Sequence, residues 1–193
     1  LNTRATPEMV QAEGFDMVIS ALGASPAKPP IPGLDKPHVM VATESMIHPE
    51  TVGHNVVVIG GGEVGVEAGM NLAQKGHEVT VLEMTHMLAP ESTAIHYYSM
   101  FKDAWEKLPG FHSVVKATVT AVEDDRVTYL DAEGVEHAIP CDSVVISLGM
   151  RAKTDEALAF SSTADRFAII GDCKKPATVQ QAMRQAYAVA HSI

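Results

Sequence analysis

Cysteine is scarce: only Cys141 and Cys173 occur in 193 residues, far apart and in no C-x-x-C spacing. That speaks against a disulfide framework and fits a reducing cytoplasm. Basic residues are also few, 14 against 24 acidic ones, and the two signs are interspersed. A net charge of −10 argues against a nucleic-acid-binding face, so no nucleic-acid partner is expected. No apolar run approaches the roughly 18 residues of a membrane span, so no membrane partner is expected. The start has no basic-then-apolar layout of a signal peptide. It opens on Leu1 and enters polar sequence directly, which reads as part of a longer protein. The histidines fall into no H-E-x-x-H or comparable spacing. His48 and His54 merely flank a loop, and no metal site is expected.

What is present is an ordinary globular composition, 46% hydrophobic, long enough for one large domain or two small ones. At this size roughly 70% of the unfolded surface can be buried. The chain is organised around residues 56–67. Val56, Val57, Val58 and Ile59 run into Gly60, Gly61, Gly62, Glu63, Val64 and Gly65, and a helix pattern begins at once. In the G-x-G-x-x-G reading, Gly60 permits a tight turn after the strand. Gly62 lets a pyrophosphate approach the backbone, and Gly65 lets the helix pack close to the sheet. The helix start presents free N–H groups and a positive dipole end to the phosphates. Gly76 stops that helix, and a second strand over 77–83 ends on Glu83. An acid there, roughly 20 residues past the glycines, suits the adenosine ribose hydroxyls. The bland alternative is a glycine turn in an unrelated α/β protein, with Glu83 a solvated strand end.

The other elements follow from local signals. Thr6, Pro7 and Glu8 open a short helix to Ala12. Residues 15–22 read as a buried strand ending at Gly23, and the proline-rich 24–33 as a rigid extended connector. A short strand is expected over 38–41, then a helical turn over 44–47 capped by Thr43. In the helix after the glycines, Glu63, Glu67, Asn71 and Gln74 form a polar stripe; Val64, Ala68 and Leu72 form an apolar one. Residues 84–92 read as a loop and 93–108 as a helix whose aromatics serve the core. Residues 111–139 read as a small antiparallel meander, and 142–148 as a buried strand ended by Gly149. Thr154 is expected to cap a helix over 155–160, 166–172 to form a strand, and Thr178 to open a last helix. The stretches 16–23 and 142–149 share a plan of Asp, apolar strand, Ser and Gly, suggesting two related nucleotide-binding domains.

On these residues, with Ile31, Pro32 and Gly33, the Gly171–Asp172 pair, and 177–182, the chain resembles the two-dinucleotide-binding-domain flavoproteins of the pyridine nucleotide-disulfide oxidoreductase superfamily. It is most similar to the carboxy-terminal part of NADH:flavin oxidoreductase, 2-enoate reductase and 2,4-dienoyl-CoA reductase proteins. The resemblance implies an α/β fold: a Rossmann-like parallel sheet with an antiparallel β-meander, plus the late portion of a second, FAD-type domain. Residues 38–152 would form the NAD(H)-binding domain, and 1–34 with 153–193 parts of the FAD-type domain. It further implies that Asp172 binds the flavin ribitol. The helix start near Val179 and Gln180 would face the flavin pyrimidine, where its dipole can stabilise negative charge.

The first glycine fingerprint of that family, for the FAD pyrophosphate, is absent, so the FAD site within this chain is incomplete. The barrel with FMN and the iron–sulfur cysteines of the longest members are absent too. They would belong to the full-length protein, whose missing amino-terminal flavin and catalytic domains are the expected partners. The implied activity is an FAD-dependent NADH oxidoreductase in which hydride passes from NADH to flavin. That step depends on alignment rather than on an acid–base pair. No catalytic dyad is evident; Glu67 is a candidate positioning residue and Glu63 could sit over the cleft. Glu83, with no Arg or Lys among 84–87, favours NADH over NADPH. A small-molecule substrate such as an enoate or enoyl thioester is implied by resemblance alone. The alternatives are a non-catalytic ADP- or NAD-binding structural module and an interaction domain that binds no nucleotide. Cys173, with no partner cysteine near, reads as a small buried residue rather than a redox thiol.

Overall fold

The computed structural model describes residues 2–92 and 97–193. The chain divides into two compact units, Leu1–Ala27 with Gly149–Ile193, and Lys28–Leu148. The changeovers between these units fall at 27/28 and 148/149. The cause is pairing: residues just before the first changeover pair with residues just after the second.

The first unit opens with α1 (Pro7–Glu13), whose Thr6 hydroxyl accepts the Met9 amide at 3.3 Å. Next come β1 (Met17–Ser20) and β2 (Ala24–Pro26). So the expected connector contains a strand, and Pro26 sits in it at an edge, where a missing N–H is tolerated. Phe15, Ile19 and Leu22 are exposed, not buried. The sheet holding β1 has two strands, too few to cover both faces.

The second unit begins with β3 (Val39–Val41), which leads straight into α2 (Ala42–Ile47). Val41 occupies the cap position with no side-chain bond, so Thr43 lies inside the helix rather than capping it. The βαβ unit follows as expected: β4 (Asn55–Ile59), α3 (Glu63–Gln74) and β5 (Glu78–Glu83). Helix α4 (Tyr97–Glu106) covers the later part of the helix expected over 93–108; residues 93–96 lie outside the described residues. Then come β6 (Phe111–Val115), β7 (Thr118–Val122), β8 (Arg126–Leu130), β9 (Glu136–Pro140) and β10 (Ser143–Ile146).

Five strands form one parallel sheet in the order β3-β10-β4-β5-β6. The antiparallel meander is only β7-β8-β9. Residues 111–115, expected in the meander, instead pair parallel with β5, Val79 opposite Phe111. Its apolar and β-branched residues suit either sheet; the partner is a non-local matter. Side chains of β4 alternate between two cores. Val56 and Val58 join Val66, Ala68 and Leu72 of α3, while Val57 and Ile59 join Val122, Val127 and Tyr129 of the meander. Each such valine contributes about 1.5–3 kcal/mol relative to an exposed one. The buried stripe of α3 therefore contains Val66, not Val64, which is 50% exposed.

The chain re-enters the first unit at β11 (Met150–Ala152), antiparallel to β2. In α5 (Thr154–Leu158), Thr154 is the first helical residue; its hydroxyl donates to the Cys173 carbonyl at 2.9 Å instead of capping. Strand β12 (Arg166–Ile169) pairs parallel with β1. A 3₁₀ turn, Gly171–Cys173, leads to α6 (Val179–Ala190), whose Thr178 cap accepts the Gln181 amide. Among the described residues no helix is long and apolar enough to cross a membrane.

Candidate dinucleotide site

The strand order sets where a ligand can enter the parallel sheet. From β4 the chain steps outward to β5 and β6, then crosses the meander and returns to β10 on the other side of β4. Such a reversal opens a crevice at the carboxyl ends of the two central strands. Gly60 follows β4 there, and Ser147 follows β10.

The glycines are dictated by contact. Gly60 has φ +101°, and a Cβ on it would lie 2.3 Å from the Ser147 carbonyl oxygen. A Cβ on Gly65 would lie 1.9 Å from the Gly60 carbonyl oxygen. Gly62 opens α3, and a Cβ there would meet only the end of the Glu91 side chain, at 2.9 Å. Gly61, a filler position in the sequence pattern, is equally constrained: its Cβ would be 2.5 Å from Leu88 and 2.8 Å from Glu83.

A cavity of about 290 Å³ opens in this unit, lined by Ile59, Gly60, Gly62, Glu83, Thr85 and Ser147 among others. Glu83 is only 9% exposed, and its carboxylate is anchored at both oxygens. One accepts the Gly61 amide at 2.7 Å and the other the Thr85 amide at 2.7 Å. A carboxylate has about four acceptor positions, so two remain for hydroxyls presented from the cavity. The residues thus fit a dinucleotide: a glycine-lined backbone cradle, a helix start whose own cap residue is Gly62, and a fixed acid.

Glu67 and Val64 both lie on the exposed side of the first turns of α3. The Glu67 carboxyl is held above the usual range, first by partial desolvation and then by the Glu63 charge. The Tyr97 phenol is raised by desolvation and by the charges of Glu63 and Glu67, which places the start of α4 beside these acids. Tyr97 and Glu91 were not singled out in the sequence; neither belongs to a spaced motif, and both reach α3 only through tertiary folding.

In the other unit, Asp172 and Val179 line a recess of about 220 Å³ with Gly23, Gly171 and Thr178. The Asp172 carboxylate accepts the Ala177 amide at 3.2 Å, and the Gly171 amide donates to Gln185 Oε1 at 2.7 Å. Gln180 is exposed on the first turn of α6. Gly149, at φ +85°, lies apart from this recess; its carbonyl accepts the Ala27 amide at 2.9 Å. The residues present fit one side of a flavin site, an acid and a helix start around a shared recess.

Comparison with known proteins gives the family. The family model for pyridine nucleotide-disulphide oxidoreductase matches residues 5–186. The chain belongs to that family. A bilirubin reductase from Mediterraneibacter gnavus is 34% identical over 192 residues, covering 99% of this chain and 30% of the relative. A cinnamate reductase from Clostridium sporogenes is 31% identical over 195 residues, covering 100% and 29%. Among solved structures, a 2-naphthoyl-CoA reductase complex superposes with a TM-score of 0.89 at 30% identity, covering 100% of this chain and 29% of that one. Histamine dehydrogenase from Rhizobium sp. 4-9, at 20% identity and TM-score 0.85, shares the fold. This member of the pyridine nucleotide-disulphide oxidoreductase family thus spans about 30% of the length of the relatives it matches.

Proposed function

We propose that this chain is the NADH-binding module of an FAD-dependent oxidoreductase that reduces a conjugated small molecule. The observation that carries the reading is the cleft in which Glu83 fixes the Gly61 amide beside the glycine-lined start of α3. The module is 28–148, and the flanking unit supplies the late part of an FAD-type domain. In this reading the amides at the start of α3 and the cradle of Gly60, Gly62 and Gly65 hold the pyrophosphate. Glu83 accepts the ribose hydroxyls and repels a 2′-phosphate, giving a preference for NADH. Asp172 holds the flavin ribitol, and the α6 start at Val179 and Gln180 lies against the ring. Glu67 orients the nicotinamide end. The cofactors, when bound, supply hydride transfer from the nicotinamide to the flavin; the protein supplies alignment and water exclusion.

The acceptor is read from the relatives: cinnamate and 2-naphthoyl-CoA both carry unsaturation conjugated to a carbonyl. An enoate or enoyl thioester is the matching class. The remaining length of those relatives leaves room for further domains, including an FMN barrel and an iron–sulfur cluster, and a cytoplasmic setting suits the two free cysteines. The test is anaerobic titration of the full-length protein. NADH should bleach the flavin absorbance, with NADPH at least about ten-fold weaker. Binding of NADH without bleaching would instead support a non-catalytic nucleotide-binding module.

A further inference from the structure

The start of α3 is already engaged by an anion from the chain itself. The Glu63 amide, first of the helix's free N–H groups, donates to Glu91 Oε1 at 2.5 Å. That oxygen lies 2.9 Å from where a Cβ on Gly62 would stand, over the glycine the dinucleotide reading reserves for a pyrophosphate. Among the described residues no Lys or Arg pairs with Glu91, so its charge is met by the helix start alone.

The segment carrying Glu91 is clasped to the glycine turn. Leu88 is buried against Gly61, and the Ala89 amide donates to the Gly61 carbonyl at 2.7 Å. Ala89 is fully buried with φ +45°, a left-handed conformation that an L side chain rarely adopts. It also precedes Pro90, and a residue before proline is further confined to extended backbone. A strained residue held by contact with a ligand-binding turn is a place where two arrangements can be close in energy.

We propose that Glu91 is a built-in competitor for the dinucleotide phosphate: it caps α3 in the free protein and must leave when the dinucleotide binds. The inference rests on the dinucleotide reading of the cleft. Two anions cannot share one amide, so the exchange lowers apparent affinity by whatever the carboxylate–helix contact contributes. It also keeps the helix start satisfied, and closed to stray anions, while no dinucleotide is present.

The test uses the oxidised full-length protein and its Glu91→Gln variant, titrated calorimetrically with NAD⁺, inorganic pyrophosphate and adenosine. Removing the charge should tighten NAD⁺ and pyrophosphate about five-fold and leave adenosine unchanged. Glu91→Asp, which keeps the charge but shortens its reach by one methylene, should move in the same direction. Equal or weaker NAD⁺ binding by Glu91→Gln overturns the competitor alone. Equal tightening of adenosine also overturns it, because the effect would then not act through phosphate. If neither protein binds NAD⁺, the dinucleotide reading itself fails.

Discussion

The Glu83 carboxylate accepts the Gly61 amide at 2.7 Å, tying the end of one strand to the turn that follows its neighbour. With the Thr85 amide on its other oxygen, the acid builds the cleft as well as reading what enters it. Glu83→Ala should therefore do more than weaken a ligand. It leaves two amides without their charged acceptor, which costs about 2–4 kcal/mol of stability, read by urea denaturation. Glu83→Gln can accept through one oxygen only. It should narrow the preference for NADH over NADPH towards parity, seen in parallel titrations.

Gly65 and Gly149 separate two reasons for glycine. Alanine at Gly65 would drive its Cβ to within 1.9 Å of a carbonyl oxygen, and neither backbone can yield without opening the turn. Gly65→Ala should cost about 3 kcal/mol and abolish dinucleotide binding. A Cβ on Gly149 meets nothing within 4 Å, so only its φ of +85° opposes it. Gly149→Ala should cost about 1–2 kcal/mol. Thermal denaturation of both variants tests the contrast.

Val58 and Val64 make the matching comparison for apolar residues. Val58 is 0% exposed in the helix-side core, whereas Val64 is 50% exposed. Val58→Ala should destabilise the chain by about 2–3 kcal/mol. Val64→Ala should stay within about 0.5 kcal/mol. Equal losses in denaturant unfolding would contradict the burial of α3 described above.

The Cys141 thiol is pushed up from 9.0 to about 11, by burial first and then by the charges of Asp142 and Asp125. A thiol that stays protonated in the folded state resists alkylation, so peptide mapping should find Cys141 unmodified by iodoacetamide at pH 8. The linkage runs one way. The unfolded thiol ionises near its ordinary value, so this contribution to stability is full below about pH 9 and is lost as pH rises from there towards 11. Midpoints of urea unfolding between pH 8 and 11 should fall accordingly, and Cys141→Ser should flatten that part of the profile.

Residues close in sequence determined a great deal. Four β-branched residues, three spaced glycines and a terminal acid specify the βαβ unit, because strand period, turn freedom and helix start are all local. The caps at Thr6 and Thr178 were legible for the same reason. What only the tertiary structure decided involves partners distant along the chain. The apolar and β-branched residues of 111–115 cannot say whether their neighbour is β5 or β7; the parallel pairing with β5 is seen only in the fold. Thr43 and Thr154 are good caps by type, but one lies inside a helix and the other donates to Cys173. Val64 and Val66 are the same residue two positions apart, and only the direction of α3 against the sheet tells which is buried. Glu91 had no motif to mark it. Its meaning arises where a loop folds back on the glycine turn and places a carboxylate on the start of α3, whose own cap residue is a glycine.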